Sequence, residues 1–553
     1  MRGGYGAGSS DCSSAGAADG RRHLCRERTR VRVRIHCTAA GLPGRRSGIF
    51  WYPVSIPLRC SSACQLTIPF ATGPFSPSYR PSWLFPISLA FFGRAVSELV
   101  PAPHLHRPAM NKDPQLISVP PRFAHRVSLL DTENAFTVAP LIVQAEAEGQ
   151  HVIRCNIGEP DFPLPDHIRE EVKRHLDLGA TGYVDPQGLQ PLREAIADDV
   201  GSSRGIDVSP ERVVVFPGAK VPIGLCQQTY CDPGDEVVYP SPGFPIYESF
   251  TRYVGADPVP IHLREADGFA VTEDLLEPLL GPRTRLIFLN SPANPTGGVT
   301  SDRELEAIAD LIFRKAPPNV RIFSDEIYER ILFDGSKHAS IASVPGMAER
   351  TIIVSGASKS YAWTGGRVGW AIFPTREEAA VFRNLNINYF SCIPAYNQMG
   401  AVAAIQSPES RPFIARMVTA FQERRDLVVE RLNAIPGITC AIPKGAFYVF
   451  PNVAGVCTRI GAIERWESLP PDVRGGTSPS TLLQLFLLFR YGVCSLDRRS
   501  FGTVGAEGHF LRLSIATPAD ELRQAADRIA AAASDEAGFA HFFEQLELAG
   551  RLS

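Results

Sequence analysis

The feature that most constrains this chain is a series of apolar runs four or five residues long, each ending in small or polar residues. Residues 212–216 (RVVVF), 236–239 (EVVY), 285–289 (RLIFL), 321–324 (RIFS) and 351–354 (TIIV) form the series. They are too short to be buried helices, rich in β-branched and aromatic residues, and show no apolar–polar alternation. Those properties predict strands buried on both faces. Helical patterns at 221–230 and 301–313 lie between them, the second opening with Ser301 and Glu304 at the spacing of a capping box. Strands alternating with helices predict an α/β fold, with a mostly parallel central sheet and helices on both faces. In such open sheets ligands bind beyond the carboxyl ends of the strands. The polar residues just past each run are therefore the candidates for chemistry.

Gly218-Ala219-Lys220 closes one strand and opens a helix, so its backbone N–H groups can cradle an anion. Phe244 is an aromatic able to stack on a planar ring, although a core position is its ordinary role. Asn294, in Asn294-Pro-Thr-Gly, offers a neutral donor. Asp325 follows 321–324; alone it reads equally well as a helix cap, but a carboxylate there can also keep a pyridine nitrogen protonated. Tyr328 sits three residues on. Ser358-Lys359 follows 351–354 in a Gly, Ala and Ser context. A lone lysine is usually a solvated charge, yet one that loses hydration becomes a nucleophilic amine. Arg367 brings a planar fork of donors suited to phosphate.

Taken in order, Gly158-Glu-Pro-Asp-Phe162, Asn294-Pro-Thr-Gly297, Asp325-Glu-Ile-Tyr328, Ser358-Lys359 and Arg367 resemble the motifs of class I/II aminotransferases of fold type I, over roughly 122–529. The resemblance implies pyridoxal 5'-phosphate as cofactor and transfer of an amino group from an amino acid to a 2-oxo acid. It implies Lys359 as the Schiff-base lysine and proton carrier, and Asp325 as partner of the ring nitrogen. Tyr328 and Asn294 would flank the phenolic oxygen, and Phe244 would lie over the ring. Gly218, Ala219, Lys220, Ser358 and Arg367 would meet the phosphate. Tyr183 would reach that phosphate from the neighbouring subunit, so a homodimer with shared sites is implied. Gly158, Asn294 and Arg512 would hold the substrate, Arg512 by a bidentate grip on its α-carboxylate. No metal is implied.

Three places depart from the family pattern. Gly366 stands where an aromatic is usual, Gly356 where a hydroxyl is common, and 493–502 (VCSLDRRSFG) lacks a Pro-Gly pair. Dicarboxylate-specific relatives carry an arginine near 385–389, whereas this chain has Asn386 and Asn388, which argues against an aspartate-only enzyme. The competing readings are a carbon–sulfur lyase or cyclopropane-carboxylate-synthase-like elimination on the same scaffold, and a non-catalytic regulator that binds the cofactor. Tyr328 speaks against the lyases, and 1–109 shows no helix-turn-helix pattern to support a regulator.

Length and composition set the frame. A chain of 553 residues suits two domains and an appendage. A net charge of -2 gives no basis for binding nucleic acid or an anionic membrane. The 12 cysteines lack metal-ligand spacing and read as free thiols of a reducing compartment. The stretch 83–100 comes nearest to a membrane span, but Pro86, Arg94 and Glu98 interrupt it. Residues 1–109 contain no lysine and many arginines, and read as an extension without chemistry. They are either an organelle-targeting segment or a stretch ahead of a true start at Met110. The expected layout is an N-terminal arm and part of a smaller α+β domain at 110–155, the large cofactor-binding domain at 156–405, and the rest of the smaller domain at 406–553. Within the last, 441–449 reads as a hairpin and 457–480 as a surface insertion. The expected location is the cytoplasm, or an organelle if the leader is real.

Overall fold

The computed structural model describes residues 122–131 and 133–548, and the readings made on 1–109 lie outside them. After β1 (Ile153–Arg154), seven strands build the main sheet: β2 (Val213–Phe216), β3 (Glu236–Ser241), β4 (Asp257–His262), β5 (Thr284–Asn290), β6 (Arg321–Asp325), β7 (Thr351–Gly356) and β8 (Gly369–Ile372). Their spatial order is β2-β8-β7-β6-β5-β3-β4. The β4-β3-β5-β6-β7 pairs are parallel, and β8 runs antiparallel between β7 and β2. All five apolar runs are strands of this sheet. Residues of β2, β6 and β7 are buried, with Val214, Phe323 and Val354 turned to one layer and Val213, Val215 and Ile353 to another. Helices on both faces explain why these strands do not alternate. The helix Asp302–Lys315 starts with the capping box formed by Ser301 and Glu304.

The register places the chemistry. Asn290 and Asp325 are paired at the ends of β5 and β6, and Asp325 pairs with Val354. Gly369, where β8 begins, pairs with both Phe216 and Gly356. The ends of β2, β5, β6 and β7 thus share one edge of the sheet.

Four further strands lie downstream: β9 (Tyr448–Val449), β10 (Val493–Cys494), β11 (Leu496–Asp497) and β12 (Leu511–Ser514). β11, β12 and β9 form an antiparallel sheet, and β10 pairs in parallel with β1. The long helix Ser410–Asn433 and the helices Pro479–Tyr491, Ala519–Ala532 and Glu536–Leu548 accompany them. A single apolar cluster joins this C-terminal region to Val138, Ile142 and Ile153.

Two local expectations are corrected. Residues 441–449 do not form a hairpin. Lys444 and Ala446 donate their backbone N–H groups to Gly297 and Ile331 instead of to a return strand, and only β9 pairs with β12. The stretch 457–480, expected as a surface insertion, is helical rather than irregular. It carries the helices Ala462–Ser468 and Pro471–Gly476, and buries Cys457, Ile460, Ala462 and Leu469 in the core. Its glycines and prolines punctuate helix ends rather than marking an unstructured excursion.

Candidate active site

One cavity of about 480 Å³ opens at the shared strand edge. Asp325, the last residue of β6, forms part of its floor and is buried. Its Oδ2 accepts a hydrogen bond from the Tyr247 hydroxyl at 2.7 Å, and its Oδ1 one from the backbone N–H of Ile327 at 3.3 Å. Burial raises this carboxyl to about 6, while the two hydrogen bonds oppose the rise. Tyr247 is itself held by stacking on Phe288, with ring centroids 4.6 Å apart.

Lys359 lies in the short turn of helix after β7. Its Nζ donates to the carbonyl of Gly158 at 2.5 Å. Burial lowers the amine to about 8, although the charges of Glu159 and Glu133 partly offset the effect. About a tenth of it is then unprotonated, and hence nucleophilic, at pH 7, against well under a thousandth for an ordinary lysine.

Gly218, Ala219 and Arg367 form a cradle at the opposite side. The Arg367 guanidinium donates to the carbonyls of Thr364 at 2.9 Å and Pro217 at 3.1 Å. A Cβ at Gly218 would lie 2.1 Å from Arg367 Nη2, so only glycine permits that approach. Gly218 also has φ +95°, a region that favours glycine. The helix Lys220–Tyr230 begins here, which sets the positive end of its dipole beside the cradle. Ser358 lines the same cavity.

Arg512, from β12, is buried. It donates to Asn294 Oδ1 at 3.0 Å and to the carbonyl of Asn156, and lies over the rings of Tyr448 (4.5 Å) and Phe501 (4.9 Å). Its Nε is buried with no hydrogen-bond partner among the described residues. An orphaned buried donor on a cation suits an anionic ligand. The hydroxyls of Tyr328 and Tyr448 share a hydrogen bond of 2.8 Å, and burial drives both upward in pKa.

The structure therefore brings Gly158, Ala219, Lys220, Phe244, Asn294, Asp325, Tyr328, Ser358, Lys359, Arg367 and Arg512 onto one cavity. Gly218 stands just behind it, against Arg367. Tyr183 does not line the cavity of its own chain and is 90% exposed. Lys220 does not turn its amine to the cradle. It forms an ion pair with Glu133, between the rings of Phe136 and Phe244. Reading the sequence missed Tyr247, Tyr448 and Glu133. For Tyr247 a signal existed, since it stands three residues past Phe244 in the first turn of the helix Ile246–Val254, and the two rings meet edge to face at 5.8 Å. Glu133 and Tyr448 come from distant segments and had none.

Two family departures find their explanation. A Cβ at Gly366 would lie 2.2 Å from the Trp363 ring, so that indole fills the space a side chain there would need. Where Pro-Gly is absent, Asp497 accepts from the Ser500 N–H and hydroxyl, and Arg498 donates to Ser241 and to the carbonyl of Gly502. Side-chain bonds fix the loop instead of proline.

Glu326, Glu329 and His338 also converge, their ligand atoms within 4.8 Å of one another. Arg204 donates into both carboxylates, so the positive charge there is already supplied by the protein.

A cradle for phosphate, a buried carboxylate for a ring nitrogen, a softened amine and an unsatisfied arginine fit pyridoxal phosphate with an amino acid beside it. Fold and site together define a pyridoxal-phosphate-dependent enzyme of fold type I. The family model "Aminotransferase class I and II" matches residues 150–529. The chain is 35% identical to the probable aspartate/prephenate aminotransferase of Aquifex aeolicus, over 73% of this chain and 97% of that one. It is 34% identical to aromatic-amino-acid aminotransferase 2 of Thermococcus litoralis, over 68% and 90%. The crystal structure of the Rhizobium meliloti aspartate aminotransferase superposes with a TM-score of 0.67 at 32% identity, covering 74% of this chain and 98% of that one. The chain belongs to the class I and II aminotransferases. It is a transaminase that uses pyridoxal phosphate to move an amino group from an amino acid to a 2-oxo acid.

Proposed function

We propose the following division of labour among the side chains of the cavity. Pyridoxal phosphate, when bound, supplies an aldehyde that receives the amino group and a ring that draws electrons from the substrate's α-carbon. Lys359 Nζ anchors the cofactor, and once displaced carries the α-proton; its lowered pKa lets it act as a base near neutral pH. Asp325 keeps a proton on the ring nitrogen, because its buried negative charge is best offset by a cation there. Tyr247 orients that carboxylate. Tyr328 and Asn294 donate to the ring's phenolic oxygen, and Phe244 covers the ring. Arg367, Ser358, Gly218 and the helix start at Ala219 and Lys220 hold the phosphate. Arg512 grips the α-carboxylate, with Asn294 and the backbone at Gly158 shaping its surroundings. The observation that carries this reading is Asp325, Lys359, Arg367 and Arg512 lining a single cavity.

The exposed ring of Tyr183 supports a homodimer in which it meets the partner's phosphate. Three apolar clusters around the main sheet, and one that joins the C-terminal helices to Val138, Ile142 and Ile153, support a large domain at 156–405 and a smaller one from 406–553 together with 110–155. Among the described residues no helix is long and apolar enough to cross a membrane, and the cysteines are free. Free thiols support the cytoplasm as the compartment. The test is to supply an amino donor with 2-oxoglutarate and measure products. Glutamate forming mole for mole with the donor's 2-oxo acid is expected; ammonia released without glutamate would mean elimination instead.

A further inference from the structure

Asp325 and Glu326 are neighbours at the end of β6, yet only Asp325 lines the cavity; Glu326 is buried away from it. Glu326 Oε2 accepts from Arg204 Nε at 3.1 Å and Nη2 at 2.6 Å, and from His338 Nε2 at 2.9 Å. Its Oε1 accepts from the hydroxyls of Ser324 at 2.8 Å and Ser340 at 2.5 Å. Arg204, the last residue of the helix Gln190–Arg204, also pairs with Glu329, whose Oε1 accepts from the Ser355 hydroxyl at 2.9 Å. The next cation, Arg330, is taken by Asp199. Glu326 and Glu329 thus share one guanidinium, with His338 as a further donor. Burial opposes the charge on Glu326, but Arg204 and the other donors outweigh it and hold the carboxyl well below the usual range.

Few charges surround Asp325. Tyr247 reaches it from the helix Ile246–Val254 and Tyr328 from its own turn, both phenols driven upward by burial. Lys359 approaches from beyond β7. Burial is the main cause that raises the Asp325 carboxyl; the charge of Glu326 adds to the rise and that of Lys359 opposes it. We propose that Glu326 is a positioning residue for the reaction: fixed by Arg204, His338, Ser324 and Ser340, its negative charge acts through Asp325 to favour a proton on the cofactor's ring nitrogen. The proposal rests on the assignment of Asp325 to that nitrogen and deepens it. Two anions, one in contact and one behind it, attract the proton more strongly than one. Sharing Arg204 with Glu329 leaves part of the Glu326 charge uncancelled, and the hydrogen bonds keep that charge in one place. The Glu326 N–H also donates to the Val354 carbonyl at 2.8 Å, on the strand that leads to Lys359.

The test follows the ionisation of Asp325 by thermal melting of the full-length, cofactor-free chain between about pH 4 and 8, each form compared with and without Asp325→Asn. The folded pKa of Asp325 exceeds its unfolded one, so the gap within each pair grows as pH rises and levels off at the folded value. The native chain should level off near about 6. Glu326→Gln leaves Arg204 paired with Glu329; it should level off about one unit lower, with a gap at pH 8 about half as large. In the holoenzyme the same variant should move the acid limb of kcat/KM to lower pH. Ser340→Ala removes a hydrogen bond but no charge, and should level off within about 0.2 unit of native. Should Glu326→Gln not fold, Glu329→Gln reads the same direction, because it gives Arg204 wholly to Glu326. A level-off point unmoved by Glu326→Gln, or moved as far by Ser340→Ala, would overturn the role of Glu326 and leave that of Asp325 standing. A point that moves while the holoenzyme limb stays would unseat Asp325 from the ring nitrogen, and the proposal with it.

Discussion

The floor and the mouth of the cavity are built in opposite ways. On the floor, Asp325 and Lys359 are each fixed within a few residues of a buried strand end; the partner of the first, Tyr247, stacks on Phe288, and that of the second, Gly158, lies so near the Tyr448 hydroxyl that a side chain there would collide with it. At the mouth, Glu133, Asn134 and Phe136 belong to a peripheral segment tied to the rest through Lys220 and Ser500, with Asn156 donating to Ala135 and Ser249 bonded to Asp131. The floor sets what reaction is possible, and nearly any change there alters chemistry. The mouth carries no group assigned to the reaction, and changes there should cost less. The difference follows from burial, since a charge on the floor has no solvent to replace a lost partner, whereas one at the mouth does.

If this contrast holds, Lys359→Ala has the largest effect. Turnover should fall by about a thousandfold or more, with loss of the visible absorption of lysine-bound cofactor, while the fold persists by circular dichroism. Arg512→Lys comes next. It keeps the charge but loses the fork, and kcat/KM should fall roughly a hundredfold, mostly through KM, in steady-state kinetics.

Tyr247→Phe should be milder and specific in form. The Tyr247 hydroxyl lowers the pKa of Asp325, so removing it lets the carboxyl rise further above about 6, and the acid limb of the kcat/KM profile should move to higher pH. A limb that stays in place would mean that Asp325 does not govern it. The same carboxyl makes a prediction for the cofactor-free protein. Its folded pKa exceeds its unfolded one, so its favourable contribution is complete at low pH and is lost as pH rises through about 6. Cofactor-free Asp325→Asn should then melt a few degrees higher than native at pH 8, a difference that vanishes near pH 4. The smallest effect belongs to the mouth: Asn134→Ala should change kcat by less than about threefold, and a larger loss would erase the contrast.

The sequence showed the floor clearly because strand burial and strand ends leave local marks. The run VVVF reads as a strand buried on both faces, and Asp325 and Lys359 each stand just past such a run. Arg512 was visible only through family resemblance, since nothing around it announces that Asn294 and Tyr448 will meet it. Glu133 was invisible, as an acid beside an asparagine in a weakly patterned segment looks like solvated surface. Helices at 462–468 and 471–476 were hidden for another reason. They are short, glycine and proline flank the first and make up half of the second, and it is tertiary burial of Leu469 and Ile460, not propensity, that holds the stretch in place.

The claim on which the rest depends is that the Lys359 amine carries the cofactor. Reducing the holoenzyme with borohydride, digesting it and mapping the modified peptide by mass spectrometry tests this directly. The account predicts the cofactor's mass fixed on Lys359 in near-stoichiometric amount. Finding it on another lysine, or on none, would contradict the account.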